Sequence, residues 1–504
     1  MPIEDAEERE HHTYLCIDLK TFYASVECAA RGLDPFETNL VVADATRGRS
    51  TICLAITPAM KKLGVRNRCR IFEIPPGIEY VQAMPRMRYY MEVSAKIYGI
   101  YLEYVSPQDV HVYSIDECFI DITPYTKLYG WTPVEFAEKL MGEVLERTGI
   151  TATAGIGTNL FLAKVALDIT AKHAPDGIGI LDEDRFMRTI WRHRPITDIW
   201  GIGPGVAARL EKYGVYDLMG VAALDENLLY DELGVNAEYL IDHAFGREPV
   251  TIADIQAYRP SATSTTTGQV LSRGCSYEEA YTVLREMVDA AVLDLVDKHV
   301  VCDSISLFVG YASEAAQIKR LDASGTAQFR DNCGKLRTST VDIVPNADKT
   351  DIDPRAPRIE GTDASPQVHE RTTGVSAWHG EHGTRPRGGY AAAFSHSNAS
   401  RKLPQRTNSF KKIMGYFDEL YARTVDPKRP VKRINLGFGN LLPEEFATVD
   451  LFCDAEADKR ERDLAHAVLA VKGKYGKNAV LKGTSFTHGA TARERNEQVG
   501  GHHA

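Results

Sequence analysis

Between Tyr14 and Ala171 the sequence reads strand, helix, hairpin, helix, strand and helix, an order that few architectures accept. Tyr14-Leu15-Cys16-Ile17 is a short apolar run that ends on a carboxylate, Asp18, as a buried strand would. Residues 22–30 follow with Phe22, Val26 and Ala29 or Ala30 on one helical face. Residues 40–42 and 51–56 are strand-like, and residues 109–122 read as a hairpin turning at Ser114-Ile115-Asp116-Glu117. Thr132-Pro133-Val134-Glu135 joins a capping box to a first-turn proline, which predicts a helix to about Arg147. Residues 150–156 are β-rich, and residues 159–171 space Leu162, Val165, Ala166 and Ile169 for burial on a helix. The order predicts an α+β domain with an antiparallel sheet.

At 504 residues the chain exceeds one ordinary core, so several domains are expected. Residues 182–246 read as short helices interrupted around residues 197–205. After Pro260 come β-rich sequence, a long helix over about 276–296 and a strand at 304–309, the texture of a two-layer α+β domain. Residues 322–390 are rich in Gly, Pro, Thr, Asp and Arg without a period, and a disordered or mobile insertion is expected there. A helix at 408–422, a strand at 431–438 and a charged helix at 455–471 follow.

No apolar stretch is long enough for a bilayer, and residues 1–12 are acidic and polar, so neither a membrane span nor a secretory signal is expected. The nine cysteines form no CxxC pair, which suits reduced core thiols in a cytoplasmic protein. The net charge of −10 argues by itself against a nucleic-acid partner. The charge is uneven, however: residues 401–440 hold ten basic side chains against Asp418, Glu419 and Asp426. Such a run is either a solvated surface or a face for a phosphate backbone.

Asp18 at a strand end and Asp116-Glu117 in a hairpin turn are the residue types a phosphoryl-transfer site needs. Carboxylates there converge on two divalent cations roughly 3.5–4 Å apart, and hard oxygen donors suit magnesium. Adjacent residues of a regular strand point to opposite faces, so Asp116 and Glu117 can share a site only through a distorted turn. An Asp-Glu pair is equally ordinary turn chemistry.

The segment Cys16-Ile17-Asp18-Leu19-Lys20-Thr21-Phe22-Tyr23-Ala24-Ser25-Val26-Glu27 resembles the first motif of Y-family DNA polymerases. Tyr113-Ser114-Ile115-Asp116-Glu117-Cys118-Phe119-Ile120-Asp121 resembles their second. Gly155-Ile156-Gly157-Thr158-Asn159 with Ala163-Lys164-Val165-Ala166 and residues 172–177 is similar to the third, and Trp200-Gly201-Ile202-Gly203 to the thumb motif. The resemblance runs continuously over residues 14–247 and more weakly over 260–442, and is nearest to the Gram-positive UmuC-like branch.

The resemblance implies a right-hand α+β polymerase. A ferredoxin-like palm would take residues 1–30 and 76–178, and small fingers residues 31–75. A helix-hairpin-helix thumb would span 179–252, and an α+β little finger 258–446 with the insertion at 322–390. A tail would occupy 447–504. It implies Asp18, Asp116 and Glu117, helped by the Leu19 carbonyl, as ligands of two Mg2+ ions. Tyr23 would be the steric gate against a 2′-hydroxyl, with Phe22 beside it on the incoming nucleotide, and Lys61 and Lys172 would hold the triphosphate. Pro58 and Lys61 depart from the tyrosine and arginine common in the DinB-like branch.

Gly201, Gly203 and Gly205 would let a helix N-terminus approach a DNA phosphate, and Lys432 and Arg433 would lie along the duplex. Val449, Leu451 and Phe452 resemble a sliding-clamp motif, with Thr448 in place of the usual glutamine; an apolar strand end is the alternative. The expected activity is error-tolerant, template-directed DNA synthesis past lesions, on primer-template DNA with deoxynucleoside triphosphates, in the cytoplasm at the nucleoid. The alternatives are a catalytically silent DNA-binding repair scaffold and a nucleotide cyclase. Retention of all three acids and the gate argues against the first, and the thumb hairpin against the second.

Overall fold

The strand that carries Asp18 is buried on both faces, with Asp18 alone partly exposed. Leu15, Ile17 and Leu19 enter one core, while Tyr14 and Cys16 enter another with Phe119, Leu160, Ala163 and Leu167. The computed structural model describes residues 12–259, 263–312, 326–330, 336–340, 395–447 and 455–503. They fall into two units, residues 1–261 with 494–504, and residues 262–493.

The first unit runs β1 (Tyr14–Leu19), α1 (Phe22–Ala29), β2 (Leu40–Val42), β3 (Ala55–Ile56), α2 (Pro58–Lys62), β4 (Val81–Ala83), α3 (Met87–Tyr101), β5 (Val110–Val112), β6 (Glu117–Asp121), α4 (Thr123–Tyr129), α5 (Pro133–Thr148), β7 (Ala152–Gly157), α6 (Leu160–Val165) and β8 (Ile178–Leu181). Helices α7 (Glu183–Thr189), α8 (Pro204–Glu211), α9 (Leu218–Ala222), α10 (Glu226–Leu233), α11 (Asn236–Ala244) and α12 (Ile252–Ala257) follow, and Gln498–Val499 pairs with His502–His503 near the C-terminus.

Its main sheet is ordered β5-β6-β1-β7-β8. The capping box at Thr132 and Glu135 starts α5 as the sequence predicts. The expected antiparallel pairing holds for β5, β6, β1 and β7, but β8 joins β7 in parallel, because the chain crosses over through α6 before it returns. The helix expected over 159–171 is α6 followed by a π-turn at Ala166–Thr170 and a 3-10 turn at Ala171–His173. The strand expected over 51–56 shrinks to Ala55–Ile56. Residues Thr51 and Cys53 bond instead to Ile71 and Cys69, drawing the chain away from β2.

Three glycines let α6 and the π-turn after it lie on the sheet. A Cβ on Gly155 would sit 2.1 Å from the Ala163 carbonyl oxygen, one on Gly157 2.2 Å from the Ala163 nitrogen, and one on Gly179 2.3 Å from the Ala166 oxygen. No larger residue permits that contact.

The second unit comprises β9 (Ser264–Cys275), α13 (Tyr277–Asp297), β10 (Val300–Tyr311), β11 (Thr326–Arg330), β12 (Leu336–Thr340), β13 (His396–Thr407), α14 (Phe410–Thr424), β14 (Val431–Gly439), β15 (Leu442–Pro443) and α15 (Ala455–Tyr475). Its sheet is ordered β13-β10-β14-β9 with β15 on β10. Ile305, Leu307, Val309, Ile434, Leu436 and Phe438 form a core with residues of α13 and α14. Within the insertion expected at 322–390, β11 and β12 pair antiparallel. The remainder lies outside the described residues, as do Val449, Leu451 and Phe452. Among the described residues no helix is long and apolar enough to cross a membrane.

Candidate active site

Asp18 near the end of β1 stands directly across from Glu117, the first residue of β6. Residues opposite one another on antiparallel strands share a face, so these two carboxylates are neighbours. Asp116 precedes the strand and escapes its alternation. Its carbonyl accepts the Leu19 N–H at 2.9 Å, and Ser114 Oγ donates to its Oδ1 at 2.6 Å. The parity difficulty is thereby resolved: Glu117 obeys the strand and Asp116 belongs to the turn.

The third partner is a lysine. Lys164 Nζ lies 2.6 Å from Glu117 Oε1 and 3.1 Å from Asp168 Oδ1, and the Cys16 thiol donates to the same Glu117 oxygen at 3.2 Å. Burial, then the charges of Asp116 and Glu117, push the Asp18 carboxyl up to about 7 against the opposing pull of Lys164. The three expected acids therefore share one edge of the sheet. Among the described residues, however, no group of three or more acidic, histidine or cysteine side chains is arranged to hold a metal ion as it stands. Glu117 points its carboxylate at Lys164 instead.

Tyr23 lies in the first turn of α1, after Thr21, whose φ of 47° is left-handed backbone that favours glycine. Its ring stacks on Tyr90, and burial followed by the Asp116 charge raises its hydroxyl above the ordinary tyrosine range. Phe22 is 2% exposed and belongs to the core, which leaves its main chain as the part that can meet a ligand. Lys61 on α2 is held below the usual lysine range by desolvation, against Asp18, with Lys172 adding to the lowering. Lys61 thus lies in the field of Asp18, with Lys172 near enough to act on it.

Gly201, Gly203 and Gly205 are exposed, and a Cβ on any of them would meet nothing within 4 Å. They are not there for packing. Gly203 caps α8 with Pro204 in the first turn, while the element before the hairpin is a 3-10 turn, Ile196–Asp198, rather than an α-helix.

In the second unit the register aligns Ser400, Ser306, Gly437 and Thr266, and beside them Asn398, Phe308, Asn435 and Gly268. These positions alternate with the core-facing ones, so small and polar residues dominate the sheet's other face. Arg433 is on that face, exposed and opposite Gly310 and Val270. Lys432 is half-buried and donates to the Ser272 carbonyl at 2.8 Å.

Sequence reasoning gave no role to Lys164, Tyr90 or Glu27. For Lys164 a signal existed: a lysine inside Leu160-Phe161-Leu162-Ala163-Lys164-Val165, otherwise wholly apolar, must find a buried counter-charge.

Residues 17–168 match the model of the impB/mucB/samB family. UvrX of Bacillus subtilis (strain 168), whose name assigns it provisionally to UV-damage repair, is 26% identical over 493 residues, covering 97% of each chain. DNA polymerase IV 2 of the same organism is 27% identical over 491 residues, covering 97% of this chain and 98% of that one. A solved Y-family DNA polymerase chimera superposes with a TM-score of 0.53 at 18% identity, covering 85% of this chain and 99% of the other, a likeness that speaks for the fold.

Proposed function

We propose that this chain, whose residues 17–168 match the impB/mucB/samB family model, is a Y-family, template-directed DNA polymerase of low fidelity used in translesion synthesis. One observation carries the site: Asp18 faces Glu117 across β1 and β6 while Asp116 is tied to the same edge. All three donors are carboxylate oxygens, which suit a hard cation such as Mg2+, and their mutual repulsion is what a cation relieves. Two such ions, when bound, ease deprotonation of the primer 3′-hydroxyl and neutralise the triphosphate.

The chain's own residues do the rest. Lys61 and Lys172 attract the triphosphate into the field of Asp18. The Tyr23 ring, braced by Tyr90, closes the space a 2′-hydroxyl would need. Residues 1–30 and 76–178 act as palm, 31–75 as fingers and 179–252 as thumb, whose open glycines Gly201, Gly203 and Gly205 admit a phosphate to the start of α8. In the little finger, residues 258–446, Arg433 and the small polar sheet face suit a phosphate backbone, with Lys432 contributing less because Ser272 already engages it. Val449, Leu451 and Phe452 would dock a sliding clamp, and the cytoplasmic nucleoid would be the place of work.

Primer extension with Mg2+ on undamaged and abasic templates tests the reading. Wild type extends both, Asp116→Ala extends neither, and Tyr23→Ala incorporates ribonucleotides. A wild-type protein that binds primer-template without extending it would favour a silent scaffold.

A further inference from the structure

Lys164 is 7% exposed on a helix turn whose other residues are apolar and buried. An ammonium in such a place is costly unless opposing charge surrounds it. Two carboxylates do: Glu117 at 2.6 Å and, one helical turn on, Asp168 at 3.1 Å. The arrangement follows from the backbone, since Gly155 and Gly157 let α6 approach the sheet closely enough for Lys164 to reach the Asp18–Glu117 edge. Asp18 shares this field, with Lys164 pulling against the repulsion from Asp116 and Glu117.

One carboxylate oxygen, Glu117 Oε1, accepts from both Lys164 and Cys16. A divalent ion that takes Oε1 displaces the ammonium, and one that takes Oε2 has to share the carboxylate's charge with it. Asp168 is already within 3.1 Å of Lys164, so the lysine keeps a partner when Glu117 is taken. We propose that Lys164 is a positioning residue that holds the Glu117 carboxylate in reserve and, by competing with the divalent ion for it, sets the site's metal affinity, with Asp168 retaining the ammonium after the exchange. The proposal rests on the metal-site reading above.

The test uses the full-length chain stripped with EDTA, Mn2+ as the probe read by electron paramagnetic resonance, and thermal melting with and without Mn2+. Lys164→Met should melt lower than wild type when stripped, because Glu117 is left buried beside Asp18 without its counter-charge. It should bind Mn2+ roughly tenfold more tightly and regain most of its lost stability when Mn2+ is added. Adding Glu117→Gln to Lys164→Met should recover stability without Mn2+. Lys164→Gln carries the same comparison if the methionine variant does not fold. A Lys164→Met protein that melts lower, binds Mn2+ no more tightly than wild type and is not rescued by it would overturn the proposal and leave a purely structural ion pair. Wild-type protein that binds no Mn2+ would overturn the metal-site reading and this inference together, whereas unchanged affinity with clear wild-type binding overturns this one alone.

Discussion

The ring of Tyr23 stacks on that of Tyr90, with centroids 4.8 Å apart and planes 25° from parallel. Tyr90 is itself pinned: its hydroxyl donates to Glu27 Oε1 at 2.7 Å, and Glu27, 0% exposed, accepts Arg86 Nε and Nη2 at 2.9 Å each and pairs with Arg31. The hydrogen bonds of this network hold Glu27 below the usual carboxylate range against its burial. The Tyr23 ring therefore rests on a neighbour fixed by an ion network centred on the buried Glu27.

Loosening that network should loosen sugar discrimination while leaving Tyr23 in place. Tyr90→Ala removes the stacking partner, and the preference for deoxy- over ribonucleotides should fall roughly threefold to tenfold, about 1 kcal/mol of differential binding. Single-nucleotide incorporation kinetics with paired dNTP and rNTP check it. Unchanged selectivity would mean that Tyr23 is positioned by α1 alone.

Asp18 makes a prediction about pH. Its carboxyl is pushed up to about 7, so the folded state holds a proton that the unfolded chain releases near the ordinary aspartate value of roughly 3.9. A raised pKa stabilises fully at low pH, and that contribution is lost as pH rises from about 4 through 7. In EDTA, Asp18→Asn should therefore raise stability at pH 8 by on the order of 1–3 kcal/mol, with the gain shrinking toward pH 4. Melting curves across that range decide it. The same variant should not extend a primer.

Glycines at two places should respond in opposite ways. Gly157→Ala puts a Cβ 2.2 Å from helix backbone that cannot yield, so it should destabilise the first unit by about 3 kcal/mol or more and abolish activity with it. A Cβ on Gly203 meets nothing within 4 Å, so Gly203→Ala should cost only the difference between a glycine and an alanine helix cap, about 1 kcal/mol or less, and should weaken primer-template binding. Parallel melting and fluorescence-anisotropy titrations separate the two.

On the second unit's open sheet face, Arg433→Ala should weaken DNA binding across sequences and reduce the slope of log K against log salt by about 1. Lys432→Ala should change that slope less, because its ammonium is bound to the Ser272 carbonyl. Equal effects from the two would contradict the assignment of Arg433 to the open face.

Helix α3 (Met87–Tyr101) was not legible in the residues themselves, whereas the strand carrying Asp18, the helix after it, the hairpin before Asp121 and the cap at Thr132 were. These depend on interactions within a few residues, where periodicity and capping chemistry act. Roles for Tyr23, Lys61 and Lys172 entered through motif resemblance, not through periodicity. Other features were decided by pairing between segments far apart in the chain. The Asp18–Glu117 register spans about a hundred residues, and only that register shows that Glu117 lies with Asp18 while Asp116 stays in the turn. The parallel edge at β8, the burial of Phe22 and the opposite surroundings of Lys432 and Arg433 are of the same kind. Lys164 stands between the two cases. Its apolar neighbours announce a buried charge, yet which carboxylates answer it depends on how closely Gly155 and Gly157 let a helix approach a sheet. Local sequence sets what a segment can become, and the long-range contacts that bury it determine which side chains meet.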